Sequence, residues 1–333
     1  MRVAPHRRQA APMMLIETAV PYHRLARLHR RSARWWTPLS TLGVALGLYA
    51  AMLGLLLVAS VVWALLPGMP NPSAWFDDPL NPLDWLMMLG PLAMMLPAVL
   101  LGVRWGGRRR GTIHSVAGRF RWDLMLRAAV VVVPVYVVVL AGWRLISPPE
   151  DFAWPPLDAR LLIIAAIVLL LGPLQCAAEE YVFRGLPQQL LGTWLRSPAW
   201  GILLPVPLFV LGHGYDWAGQ VGIGAFALAT GVLVWKTGGL ELAILLHTAN
   251  NMVLFAFAPT SPSSLQQGPI DPFWLLIDLP LVFGVTLGLC VWVSRRHGLR
   301  WNEPLRSSTA APSSAPDKRS LSAGEEGSAV AVG

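Results

Sequence analysis

A small group of side chains in this 333-residue sequence has the types and spacing for acid–base chemistry on water. Glu179 and Glu180 stand side by side with Arg184 four residues later; Phe209 precedes His213 by four, and His247 precedes Asn251 by four. On a helix, four residues return to nearly the same face, so Glu180 can pair with Arg184, whereas Glu179 is rotated about 100° away and stays outside that ion pair. His247 and Asn251 share a face for the same reason, while Asn250 lies about 60° off it. A carboxylate that no cation holds, two imidazoles and an amide form a parts list for activating a water and stabilising an oxyanion. Taken singly, each has a plainer reading: Glu180 with Arg184 as a structural ion pair, either His as an interhelical hydrogen bond, Asn251 as a polar tie between helices. Their combination points to chemistry.

These residues lie within apolar sequence, which is what must position them. The chain is 55% hydrophobic and 13% charged, with a mean hydropathy of +0.53, outside soluble composition. Apolar runs at Leu42–Leu66, Leu83–Val103, Leu124–Ile146, Leu161–Ala178, Ala199–Gly212, Ala218–Trp235, Leu240–Ala258 and Phe273–Val293 predict about eight membrane spans, two of them short. The predicted fold class is an all-α, polytopic transmembrane helical bundle. Arg24, Arg27, Arg30, Arg31 and Arg34 precede the first run, the 104–123 connection holds Arg104, Arg108, Arg109, Arg110, Arg119 and Arg121, and Arg196, Arg295, Arg296 and Arg300 follow the fourth and last. The intervening connections carry Asp77, Asp78 and few cations. By the positive-inside rule both termini are expected in the cytoplasm of a bacterial cell membrane protein.

The chain divides into a basic segment over 1–40, three spans over 41–158, a polar-studded core over 159–258, a last span over 259–297 and a tail over 298–333 whose Ser, Ala, Pro and charge predict disorder. A short helix lying on the membrane is expected around Tyr22–Trp36, and no signal-peptide cleavage, since the basic head is too long and too charged for one. The net charge of +8 is concentrated beside the spans, which fits anionic lipid and argues against nucleic acid as a partner. Cys176 and Cys290 both sit in apolar runs and read as packing residues, not as a disulfide or thiolate site.

Glu179-Glu180-x-x-x-Arg184, Phe209-x-x-x-His213 and His247-x-x-x-Asn251, in that order within apolar sequence, resemble the CAAX prenyl protease 2 and bacteriocin-processing (CPBP, or Abi) family of intramembrane proteases. The resemblance covers roughly 160–255 and implies a Glu-activated water at Glu179 assisted by His213, an oxyanion held by His247 and Asn251, and a helix held by Glu180 with Arg184. It implies a peptide or membrane-protein substrate. The family is commonly described as metalloproteases, with His213 and His247 as candidate ligands for a divalent metal such as zinc; a metal-free glutamate mechanism fits the same residues, and the sequence leaves both open.

Other intramembrane protease chemistries lack their motifs: there is no Gly-x-Ser-Gly, no His-Glu-x-x-His, and no Gly-x-Gly-Asp to accompany Tyr215-Asp216. Two rivals use the same residues, a transporter with Glu179, Glu180, His213 and His247 as a proton relay, and a silent scaffold of the same fold. The polar groups are confined to one half of the chain, which is not the internal symmetry of a transporter. One geometric tension stands. If the fourth span ends at Ala178, Glu179 is near the cytoplasmic face and the cavity opens there or laterally to lipid, yet His213 is about 20 Å into the next span. Pro205 and Pro207 are expected to kink that span or make it partly re-entrant.

Overall fold

The computed structural model describes residues 19–108 and 111–307. Residues 1–18, Arg109, Arg110 and 308–333, and with them most of the expected disordered tail and the start of the basic head, lie outside the described residues. Among the described residues the regular structure is helical, as the hydropathy predicts. Seven helices are long and apolar enough to cross a bilayer: α1 (Thr37–Ala64), α2 (Pro82–Trp105), α3 (Trp122–Ile146), α4 (Ala159–Trp194), α6 (Trp217–Thr237), α7 (Glu241–Thr260) and α8 (Pro272–His297). Between α4 and α6 lies the shorter α5 (Ala199–Leu211).

The differences from the eight apolar runs have local causes. α5 breaks at Leu204 into Ala199–Leu203 and Pro205–Leu211, because Pro205 and Pro207 withhold backbone donors where a continuous helix needs them. At 1.5 Å per residue its 13 residues cover only about 20 Å, so α5 is shorter than a regular span. It is not re-entrant: it starts beside the end of α4 and finishes against the 261–271 connection, where Gln267 accepts from the Gly214 amide. α4 behaves in the opposite way. Far from ending at Ala178, it continues through a π-helical turn, Tyr181–Gly185, to Trp194. Pro187 has no N–H to offer the Phe183 carbonyl, and the wider turn falls just before it. Glu179 therefore stands near the middle of a 36-residue helix.

Packing grades the helices. Half of the residues in the apolar windows of α6 and α7 are buried, against 6% in α1, which leans on α2 and turns most of its Leu and Val outward. The main core gathers Leu233, Val234, Leu240, Leu242 and Leu246 with Tyr136 of α3 and Val293 of α8. Lipid contact accounts for the exposed aliphatic side chains of α1 and α3, since hydrocarbon is as apolar as they are.

The segment from Tyr22 to Leu28 is anchored to the end of α4. Only Tyr22–Leu28 is helical, as a 3₁₀ turn, and it packs Tyr22, Leu25 and Ala26 inward where a surface-lying helix was expected. Arg24 donates to the Gly192 and Leu195 carbonyls and Arg27 to that of Thr193, so these arginines cap the carbonyls that the last turn of α4 leaves unpaired. Residues 300–307, assigned from composition to the tail, hold regular contacts: Lys236 donates to the carbonyls of Arg300, Trp301 and Glu303, and Ser307 exchanges hydrogen bonds with Val20. Val20–Ser307 thus form one body, with its two ends joined by the Val20–Ser307 hydrogen bonds.

Candidate active site

α4, α5, α6 and α7 bring the polar residues of the core together. Glu180 and Arg184 pair across one turn as the spacing predicts, with Arg184 Nη1 3.3 Å from Glu180 Oε1. Arg184 is 2% exposed and is held from three further sides: its Nε donates to Thr230 Oγ1 at 2.9 Å, and its guanidinium lies 4.2 Å over the Phe209 ring and 5.7 Å from that of Phe226. The aromatic faces supply a cation site without solvent. Phe209 has a physical role in the motif on this showing: it is the plate on which the arginine rests.

His247 joins the two carboxylates. Its Nδ1 donates to Glu180 Oε1 at 2.9 Å, which turns Nε2 toward Glu179, whose Oε2 is 3.7 Å away. That gap is too long for a direct hydrogen bond and short enough for a shared proton carrier. Glu179 Oε2 and Glu180 Oε2 are buried and accept from no protein donor. A buried carboxylate oxygen left unpaired costs stability, and such a group needs a reason.

Asn251, one turn beyond His247, donates to Gln175 Oε1 at 3.4 Å and accepts from Asn250 Nδ2 at 3.0 Å. Asn250, set aside by the helical-wheel argument, is therefore a neighbour that orients Asn251. Gln175 was not singled out in the sequence, although it lies four residues before Glu179 in an apolar run, the same spacing that marked the other pairs. Thr230 was missed as well: a lone Thr in a helix usually bonds its own preceding turn, as this one also does with Phe226, and nothing local announces its second partner.

His213 stands apart from this cluster. Its Nδ1 donates to the Phe209 carbonyl at 2.8 Å and its ring packs 4.9 Å from that of Phe209, so its link to Arg184 runs through Phe209. The continued α4 places Glu179 near the middle of that helix and buried, away from the helix end where a span stopping at Ala178 would leave it. Exposure shows the accessible side. Toward the termini the site is closed by Tyr181, Arg184, Thr230 and Leu240, all buried; at the other end His213, Asn250 and Asn251 are half-buried. The less buried side thus lies away from the termini, whereas the sequence allows an opening to the cytoplasmic face or laterally to lipid.

A divalent metal finds an incomplete donor set. Glu180 Oε1 is taken by His247 and Arg184, and the atoms left facing one another are Glu179 Oε2 and His247 Nε2, short of the three protein ligands of a catalytic zinc. Among the described residues no group of three or more His, Cys, Asp or Glu could hold a metal ion. His213 and His247 do not converge as a ligand pair through any described contact. Cys176 and Cys290 are buried and unbridged, as packing residues should be.

Comparison with known proteins places this cluster. Residues 159–253 match the family described as type II CAAX prenyl endopeptidase Rce1-like, a span that holds Glu179, Glu180, Arg184, Phe209, His213, His247 and Asn251. The chain is also 26% identical over 270 residues to the uncharacterized protein YyaK of Bacillus subtilis (strain 168), covering 73% of this chain and 83% of that one. No solved structure matches. Over residues 159–253 this integral membrane protein is therefore similar to the Rce1-like family of type II CAAX prenyl endopeptidases, and the complete motif set falls inside that match.

Proposed function

We propose that the chain hydrolyses a peptide bond inside the bilayer, with Glu179 as the base that activates water. The observation that carries this reading is the asymmetry of the two neighbouring carboxylates: Glu180 is bound by His247 and Arg184, while Glu179 Oε2 is buried, unpaired and aimed at His247 Nε2. Glu179 takes a proton from water as the water oxygen attacks the scissile carbonyl; the carbonyl oxygen, now anionic, is held by hydrogen-bond donors; and the proton on Glu179 passes to the departing amine as the C–N bond breaks. Asn251 Nδ2, positioned by Gln175 and Asn250, is one such donor, and His247, its ring fixed by Glu180 at Nδ1, is the second through Nε2 when that nitrogen also carries a proton. Glu180 and Arg184 are positioning residues in this scheme. His213, at the open end, faces the side from which substrate arrives.

The substrate is a peptide or membrane-protein segment embedded in or emerging from the bilayer. The mechanism needs no metal ligand beyond what is present, and a metal-dependent variant would require a further ligand beside Glu179 and His247. The test is cleavage of a library of peptides and membrane proteins by purified protein, wild type against Glu179→Gln, with and without chelator. Cleavage that disappears with Glu179→Gln supports the endopeptidase, and indifference to chelator supports the glutamate base. Equal behaviour of wild type and variant across the library overturns the reading and sends the same residues to a proton-flux assay in liposomes.

A further inference from the structure

A second concave site lies at the open end of the bundle, outside the catalytic cluster. Trp75, Phe76 and Asp77 from the α1–α2 connection face Leu265 and Gln267 from the α7–α8 connection, with Met88 of α2, around a cavity of about 700 Å³. That volume lies within the range of small-ligand pockets. Trp75 is 83% exposed, a large aromatic that the fold itself does not use. Phe76 has φ +54°, a left-handed conformation that a bulky aromatic adopts only under constraint. The constraint is visible: Asp84, fully buried at the start of α2, accepts from Ser73 Oγ and from the amides of Ser73 and Asp78, bracketing the turn that presents residues 75–77.

The cavity is wired to the catalytic cluster on two sides. Gln267, in its wall, accepts from the Gly214 amide at 2.5 Å, next to His213. Met88 and Leu265 pack on the cluster of Trp85, Leu89, Ile164, Val168 and Ala258, and so does Met252, the residue after Asn251. The cavity wall is thus linked to residues that neighbour His213 and Asn251 in the chain. Charge and ring chemistry define what it would be. Residues 67–81 carry Asp77 and Asp78 and neither Lys nor Arg, and residues 261–271 carry Asp271 and no cation. Trp is the strongest cation–π partner among side chains, and here it stands two residues from a carboxylate.

We propose that this cavity is an exosite that grips a Lys or Arg side chain of the peptide substrate, through the Asp77 carboxylate and the Trp75 and Phe76 rings, and delivers the adjoining segment to Glu179. The inference rests on the endopeptidase reading for its biological sense, but its own test is binding. The ammonium chemistry could also come from a phosphatidylethanolamine headgroup, and the experiment separates the two. Full-length Glu179→Gln protein in nanodiscs is titrated with a fluorescent apolar peptide bearing one Lys, and with the same peptide carrying norleucine in its place. The expected result is about tenfold tighter binding of the Lys peptide, abolished by Asp77→Asn and by Trp75→Ala, with norleucine-peptide affinity unchanged. Asp77→Asn is nearly isosteric, so it decides the matter should Trp75→Ala fail to accumulate.

Equal affinity for the two peptides overturns the exosite, as does a Lys preference that survives Asp77→Asn. So does loss of the preference in phosphatidylethanolamine discs relative to phosphatidylglycerol discs, which would assign the cavity to the headgroup. In wild-type protein the same Asp77→Asn substitution should raise KM for the Lys peptide and leave kcat unchanged. Absence of all cleavage with Asp77-dependent binding intact would sink the endopeptidase reading and leave the cation site standing.

Discussion

α7 carries two buried carboxylate–cation clusters less than two turns apart, and they are built to opposite specifications. At its start Glu241, wholly buried, accepts from Arg121 Nε at 2.9 Å and Nη2 at 2.7 Å and from the Arg121 amide, while Arg121 Nη1 donates to the Thr237 carbonyl. Both of its carboxylate oxygens are used. At His247, two carboxylates share one imidazole and one guanidinium, and an oxygen of each is left without a protein donor. Both clusters are shielded from solvent, so solvation does not explain the contrast. The first spends its polar groups on joining α3 to α7; the second keeps unspent hydrogen-bonding capacity on buried oxygens. The first cluster has its carboxylate oxygens committed to structure, and the second has carboxylate oxygens left over for a ligand.

The largest effect that would sharpen this contrast is on catalysis. Glu179→Gln should lower turnover by on the order of 10³-fold, within the range for a lost general base. Its melting temperature in detergent should be unchanged or higher, because an amide is less costly to bury than an unpaired carboxylate. A melting temperature lowered by many degrees would mean that Glu179 is structural and would collapse the distinction between the clusters.

Arg121→Ala should do the reverse. Leaving Glu241 buried without its partner costs about 3–5 kcal/mol, enough to depress yield and thermal stability sharply. Whatever protein survives should cleave with near-normal kcat, since Arg121 reaches none of the reacting groups. Measured stability equal to wild type would show that Glu241 is tolerated alone and that the cluster is not a structural joint.

Thr230→Val probes the border between the two kinds. It removes the oxygen that accepts from Arg184 Nε while keeping shape, and one lost hydrogen bond to a charged group is worth about 1.5–3 kcal/mol. If Arg184 positions Glu180 and, through it, His247, then kcat should fall about tenfold or more with KM nearly constant, and Thr230→Ser should restore it. A loss of stability without a loss in kcat would instead assign Arg184 to the structural class.

The sequence makes one cluster legible and hides the other, for a physical reason. Glu179, Glu180, Arg184, His247 and Asn251 are conspicuous because helical spacing is local and each sits in an apolar run where a polar group is expensive. The apolar runs themselves are legible because the bilayer demands them. Glu241 and Arg121 are 120 residues apart, so no local pattern joins them. Asp84 escaped notice at the edge of an apolar run because its partners come from a loop. The run-on of α4 was illegible because Arg184, Gln188 and Gln189 read as the polar end of a span. In the fold Gln188 donates to the Gly231 carbonyl and Gln189 to that of Thr112, so their amide N–H groups are met by neighbouring segments rather than by water. Secondary structure inside a membrane protein is thus hidden where polar side chains find distant protein partners.

The smallest effect concerns a carboxylate of a third kind, satisfied but exposed. Asp151, in the α3–α4 connection, accepts from Ser261 Oγ at 2.6 Å and from Ser263 Oγ and amide at 2.8 and 3.0 Å, tying that connection to the start of the loop that forms one wall of the cavity. The Ser261 hydroxyl, then the Ser263 amide and hydroxyl, hold the Asp151 carboxyl down at about 2. A carboxyl depressed in the folded state stabilises it above its ordinary range near 4 and loses that contribution as pH falls through about 2. Because Asp151 is open to solvent the contribution is small and local. Hydrogen exchange across 261–267 should be faster in Asp151→Asn than in wild type at neutral pH, with a constant ratio above about pH 5 that converges toward one as acid protonates Asp151. Catalytic constants should not change at neutral pH. A ratio of one at neutral pH would show that the tether carries no free energy, and a large fall in kcat would move this exposed carboxylate into the functional class and break the rule that only the unsatisfied ones belong there.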